Sequence, residues 1–255
     1  MISVVLLGAG NVATHLYKAF KSSDSVTVSQ WYNRHLSSIS TYQNEVAITD
    51  TLSELKPADI YIIAVSDDAV AQISEALPFK DRLVVHTAGA VSAYDLSKNN
   101  RRGVLYPLQS FTKDAEMDFK NVPLCLETLD KADFKILKDL AEAIGSPSYK
   151  ISSEQRKRLH LAAVFANNFT NQLYRITHEI TEDNLIDFDI LRPLILETAK
   201  KVQHMSPYMA QTGPAVRRDK KTIKKHLKLI ENPHHKAIYQ LLTDSIAYTH
   251  GRKKL

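Results

Sequence analysis

Six residues near the start of the chain, Gly8-Ala9-Gly10-Asn11-Val12-Ala13, spell a Gly-x-Gly-x-x-Ala turn. A buried-strand run, Met-Ile-Ser-Val-Val-Leu-Leu, leads into it, and the helical pattern His15-Leu16-Tyr17-Lys18-Ala19-Phe20 leads out. That context fits a dinucleotide fingerprint, which a glycine pattern without a strand before it and a helix after it does not. Gly8 allows the tight turn, Gly10 lets a pyrophosphate approach the backbone, and Ala13 allows close helix–strand packing. Amides without partners at the helix start then face an anion. The other reading is an ordinary strand-to-helix turn that holds no ligand.

The residues closing the next strand bear on which dinucleotide fits. An Asp or Glu there would bind a ribose 2′-hydroxyl, whereas an Arg accommodates a 2′-phosphate. The chain has Trp31-Tyr32-Asn33-Arg34-His35 and no carboxylate. Arg34 can meet a phosphate bidentately, with Asn33 and Ser37 adding neutral donors, so NADP is expected over NAD. Arg34 as a simple surface charge is the other reading. Ala64, Val65 and Ser66, ahead of Asp67-Asp68, are expected along the ribose. His86 and Thr87, ahead of Ala88-Gly89, would edge the nicotinamide side, with His86 open to being a hydrogen-bonded structural histidine. No metal site is expected.

These residues need a scaffold. Ser3–Leu7, Val26–Tyr32, Ile60–Val65 and Leu83–Thr87 read as strands, separated by helical patterns at Val12–Lys21, Leu36–Gln43, Thr51–Leu55 and Val70–Leu77. Such alternation predicts a doubly wound, mainly parallel sheet. Gly103–Tyr106 and Val122–Glu127 continue the strands, Lys131–Ile144 is an amphipathic helix closed by Gly145, and Ser148–Ile151 is a last strand. Beyond Ser152-Ser153 the alternation stops. A helix from about Ser153 to Glu182, with Ser153 and Arg156 at its start, is followed by one from Asp187–Asp189 through Pro193 to about His204. Thr222–Ile230 is a third, and Asn232-Pro233 opens a last helix ending near Gly251. The fold class is therefore α/β, a Rossmann domain over 1–152 followed by an all-α domain over 153–255.

The 255 residues are 44% hydrophobic with only 7 Gly and 9 Pro, which excludes a disordered chain. The formal net charge of +5 is concentrated in Arg217-Arg218-Asp219-Lys220-Lys221, Lys224-Lys225 and Arg252-Lys253-Lys254. No aromatic residues interleave with them, so a nucleic-acid partner is not expected; one would show affinity falling steeply with salt. Cys125, the single cysteine, excludes an internal disulfide and reads as a small buried hydrophobe, which suits a cytoplasmic location. The N-terminal apolar run lacks a basic flank and reads as a strand rather than a leader, and no segment is long enough to span a bilayer.

The Gly8–Ala13 turn, the Asn33-Arg34 strand end and the change to helical texture resemble the β-hydroxyacid dehydrogenase superfamily. That group includes phosphogluconate and hydroxyisobutyrate dehydrogenases, with pyrroline-5-carboxylate reductase more distant. The stretches His86-Thr87-Ala88-Gly89-Ala90, Tyr106-Pro107-Leu108-Gln109-Ser110-Phe111, His160–Asn168 and Thr212-Gly213-Pro214-Ala215-Val216-Arg217 are similar to a bacterial family without an assigned reaction. Its members carry a Rossmann-like domain and a helical domain of unknown function. The superfamily resemblance implies a phosphogluconate-dehydrogenase-like helical domain, and a homodimer through it. It also implies a Lys, and an Asn one turn on, in the first long helix after the sheet. Asn168 matches the Asn, but Val164 stands at the Lys position. An aliphatic side chain cannot transfer a proton, so that mechanism does not carry over.

On helical spacing Asn168 falls in the apolar sector with Phe165, where its amide either bonds backbone or faces a polar ligand. His160, one turn before Val164, is the nearest titratable side chain and the candidate acid or base, or else a structurally bonded histidine. Arg217 follows the Thr212–Ala215 break and could meet an acidic substrate or lie on the surface. The leading expectation is an NADP-dependent oxidoreductase acting on a small polar or acidic molecule in an interdomain cleft. His160 and Asn168 would handle that substrate. The alternative is a dinucleotide-binding sensor without turnover.

Overall fold

Along the first strand Val4 and Leu6 face one side and Val5 and Leu7 the other, and all four are fully buried. A strand buried on both faces belongs inside a sheet covered by helices on each side. The computed structural model, which describes residues 1–251, shows that arrangement. Its strands are β1 (Ile2–Leu7), β2 (Val26–Tyr32), β3 (Ile48–Thr49), β4 (Ile60–Ile63), β5 (Leu83–His86), β6 (Arg101–Pro107), β7 (Leu124–Thr128) and β8 (Ser148–Lys150). They form one sheet in the order β3-β2-β1-β4-β5-β6-β7-β8. Every neighbouring pair is parallel except β6 with β7.

Helices α1 (Asn11–Lys21), α2 (Asp67–Glu75) and α3 (Phe134–Ala143) accompany the sheet. Leu16 and Phe20 of α1 and Leu137 and Leu140 of α3 pack with Val4, Leu6 and Trp31 in one core. Val70 of α2 packs with Val5, Leu7, Tyr61 and Ile63 in a second core. The helical patterns expected at Leu36–Gln43 and Thr51–Leu55 are only short 3-10 turns, at Leu36–Ser38, Ser40–Tyr42 and Leu52–Glu54. Strand β3 was not expected; two residues are too few to show a period.

Helix α4 (Ser153–Ala163) starts where the sequence suggests, but its cap is Ser152, in a capping box with Gln155, and not Ser153. Ser153 and Arg156 are buried and tied to Glu127 of β7 instead. The helix expected to run unbroken from Ser153 to Glu182 is interrupted by a π-helical stretch, Val164–Phe169, before α5 (Thr170–Asp183). The chain divides into two compact units, the first Met1–Asn168 and the second from Phe169 onward. Helix α4 therefore belongs with the sheet, whereas the expected division lay near 152. In the second unit follow α6 (Arg192–His204), α7 (Pro207–Ala210), α8 (Lys220–Leu229) and α9 (Pro233–Gly251). Asn232 Oδ1 accepts from the His234 amide at the start of α9, as its sequence position suggests. The basic tail Arg252-Lys253-Lys254 lies outside the described residues.

Candidate functional site

The glycine turn lies between β1 and α1 and opens a cleft of about 830 Å³. Gly8 sits at φ +114, and a Cβ there would stand 2.2 Å from the Ala64 carbonyl oxygen. Only glycine fits such a position. Trp31 Nε1 donates to the Gly8 carbonyl at 2.6 Å, fixing the turn against β2. Gly10 differs, because a Cβ built on it meets nothing within 4 Å. Its Cα faces open space, as close approach by a ligand requires. Gly10 also stands at the N-cap of α1, where no side chain caps the helix and no acidic residue occupies the first turn. The first amides of α1 and the positive end of its dipole are left for an anion.

Gly8, Ala9, Gly10, Asn11, Val12, Asn33, Arg34, Ala64, Val65 and Ser66 all line this one cleft, as does Thr87. Arg34 is exposed and has no ion-pair partner among the described residues. Ser38 and His35 line the cleft beside it, whereas Ser37, expected from sequence as a donor, does not. The Asn33 amide donates to the His35 carbonyl at 2.9 Å and so shapes the loop that presents Arg34. These residues fit a dinucleotide with a phosphorylated ribose. The loop after β6 completes the lining through Gln109 and Phe111. Two side chains of α1 hold it: Asn11 donates to the Phe111 carbonyl at 2.7 Å, and His15 Nε2 to the Thr112 carbonyl at 2.8 Å. The sequence showed neither bond, since the partners are about a hundred residues apart.

At the far end of the cleft, Thr87, Ala88 and Gly89 follow β5. His86 itself is fully buried in the strand, and its Nδ1 accepts the Ala88 amide at 3.1 Å. Burial, with nearby Arg156 adding to it, pushes its pKa down to about 4. The structure thus places His86 as a neutral, bonded histidine behind the cleft. The unfolded chain binds the proton near pH 6.5 and the folded chain only near 4, so stability rises with pH through that window. Wild type should lose about 2 kcal/mol between pH 7 and 5 that His86→Gln does not, measured by urea unfolding at both pH values.

His160 of α4 comes to the same end. Its Nδ1 lies 3.1 Å from the Tyr106 hydroxyl, and a Cβ on Gly89 would stand 2.5 Å from that nitrogen. Asn168 closes the first unit in the π-helical stretch and is exposed; Leu161 and Phe165, the apolar side chains expected to bury it, are exposed as well. Val164, at the superfamily's Lys position, is half-buried. Arg217 lies in the second unit, exposed, after a loop in which Gly213 has φ +110. Cys125 is buried, among the described residues all peptide bonds are trans, and no cluster of three His, Cys, Asp or Glu could hold a metal. None of the described helices is long and apolar enough to cross a membrane.

A mainly parallel sheet with the glycine turn after its first strand defines the Rossmann class of α/β protein. Residues 122–246 match a family model described as a domain of unknown function, DUF2520. A crystal structure of a “putative NADP oxidoreductase” from Bacteroides fragilis is 39% identical over 98% of both chains, with a TM-score of 0.87. The chain belongs to this family. A Thermotoga maritima protein has 21% identity over 98% of this chain and 100% of its own, with a TM-score of 0.75. Streptococcus pyogenes 1-pyrroline-5-carboxylate reductase has 15% identity over 98% of both chains and a TM-score of 0.63. These two likenesses are of fold. No curated protein matches the sequence.

Proposed function

We propose that this chain is a cytoplasmic, NADP-dependent oxidoreductase acting on a small polar or acidic molecule. One observation carries the reading: a single cleft joins the bare N-terminus of α1, the unpaired Arg34 and the Thr87–Gly89 segment against which His160 lies. The name of the Bacteroides fragilis relative points the same way. Gly8–Val12 would hold the pyrophosphate, Asn33 and Arg34 the phosphorylated ribose, and Ala64–Ser66 the other ribose. When bound, the nicotinamide supplies hydride exchange. His160 would give or take the proton at the substrate's heteroatom, with Asn168 as the amide that holds the substrate and Thr87 as a further polar contact. The buried, unpaired Cys125 suits a reducing compartment.

Nicotinamide fluorescence titration with NADPH and NADH tests the reading. Wild type should bind NADPH more tightly, and Arg34→Ala should weaken NADPH about 10- to 100-fold, toward the NADH value, leaving NADH nearly unchanged. Binding of neither nucleotide would remove the proposal. Val164 favours a second reading, a dinucleotide sensor without turnover. Substituting His160→Ala and Asn168→Ala separates the two, since activity untouched by both would take these residues out of the chemistry.

We also propose a homodimer built through the second unit. Ile190, Leu194, Leu196 and Leu241 are each more than half exposed there, apolar side chains of the kind a second copy would cover. Light scattering at micromolar concentration should give twice the 28.7 kDa chain mass, and a monomer would reject the dimer.

A further inference from the structure

We propose that Tyr106 is the positioning residue for His160, holding Nδ1 so that Nε2 is the nitrogen offered to substrate, and that Gly89 is the space reserved for the ring. The inference rests on the proposed oxidoreductase reading and adds to it the residues that set the proton donor's geometry. Three observations support it. The Tyr106 hydroxyl and His160 Nδ1 are 3.1 Å apart with the rings edge to face. Gly89 presses on the same side of the imidazole, its absent Cβ 2.5 Å from Nδ1 and 2.8 Å from Cγ, and 3.1 Å from Cζ of Tyr106. Nε2 makes no hydrogen bond among the described residues.

Tyr106 is nearly buried, and burial pushes its hydroxyl up to about 12, so it stays protonated at every working pH. A phenol both donates and accepts. It can therefore donate to Nδ1 of the neutral ring and accept from Nδ1–H of the charged one, keeping the ring in place through a proton cycle. In the reduction direction, with NADPH as the reductant, the Nε2 proton of the imidazolium passes to the substrate's oxygen or nitrogen. The N–H bonding pair stays on Nε2, Nδ1–H remains on Tyr106, and solvent restores the lost proton. The substrate class is thus a C=O or C=N group and its reduced alcohol or amine, whose heteroatom needs one proton for each hydride.

Long-range proton–nitrogen NMR of the histidine side chains, on the full chain saturated with NADPH, reads the tautomer directly. In wild type His160 should show a single tautomer with Nε2 protonated and Nδ1 hydrogen-bonded. In Tyr106→Phe it should become a mixture, with NADPH affinity within about twofold of wild type. Gly89→Ala, which displaces the ring but keeps the phenol, should lose the hydrogen-bonded Nδ1 signal as well. An unchanged His160 tautomer in a folded Tyr106→Phe protein would overturn the inference. If Tyr106→Phe does not fold, an unchanged Nδ1 signal in Gly89→Ala overturns it alone. Failure of wild type to bind NADPH would instead strike the oxidoreductase reading, because the tautomer can be recorded without nucleotide.

Discussion

Gly8→Ala should destabilise the protein by about 3–5 kcal/mol and abolish NADPH binding, whereas Gly10→Ala should abolish binding with little loss of stability. The first change places an L-residue at φ +114, a strain of about 1–3 kcal/mol. It also drives a Cβ to 2.2 Å from the Ala64 carbonyl oxygen and 2.8 Å from Val65 Cγ1. The carbonyl belongs to backbone following β4 and cannot rotate away, so overpacking adds about 1–3 kcal/mol. For a chain of this length the thermal midpoint should fall by roughly 10 °C. At Gly10 the new methyl meets nothing in the protein, and the cost to folding should stay within about 1 kcal/mol. Thermal unfolding and nucleotide fluorescence of both variants check the pair. Equal stability losses would mean that Gly10 serves the fold and not a ligand.

The second large effect is expected at the buried ion pair of Arg156 and Glu127. Arg156 is fully buried, with one nitrogen on the Glu127 carboxylate and another on the Val91 carbonyl. The same carboxylate receives the amide and hydroxyl of Ser153, so it also neutralises the start of α4. Glu127→Ala would strand a guanidinium in the interior at a cost of about 3–5 kcal/mol. Replacing both partners by apolar residues, Glu127→Leu with Arg156→Met, should cost less than the sum of the single changes, because neither leaves a charge behind. Urea unfolding of the four proteins measures the coupling, and strictly additive losses would refute it. Since His160 lies one turn beyond Arg156, the single variants should also lose the Tyr106–His160 bond.

How much of this was legible in the sequence varied with the range of the interaction. The Gly8–Ala13 turn, the long apolar strands and Arg34 were readable because each signal is local: a spacing, a run, a residue at a strand end. Strand β3 is not legible because Ile48–Thr49 is too short to show a period, whereas Leu36–Gln43 reads as helix or helical turn and holds two 3-10 turns. The exposure of Asn168 has no local signal, because a helical period marks an apolar face but not what covers it, and Leu161 and Phe165 on that face are themselves exposed. The meeting of Tyr106, His160 and Gly89 left no local trace at all. Tyr106 is 54 residues from His160, and Gly89 reads only as part of a strand end, with no local mark of the imidazole that occupies the space beside it.

The one antiparallel pairing in the sheet carries a consequence for the candidate proton donor. Pro107 at the end of β6 pairs with Leu124 at the start of β7, so β7 and then β8 run away from the edge where the ligand cleft opens. The chain leaves β8 at the opposite edge and must travel back. Helix α4 makes that return journey, meeting Glu127 at Ser153, Val91 at Arg156 and Gly89 at His160. It works as a measuring rod laid along the sheet, about 1.5 Å per residue, with its zero mark at the Glu127 carboxylate. A residue inserted between Arg156 and His160 would carry the imidazole about 100° around the rod, off its mark beside Tyr106, while the nucleotide end of the cleft kept its shape.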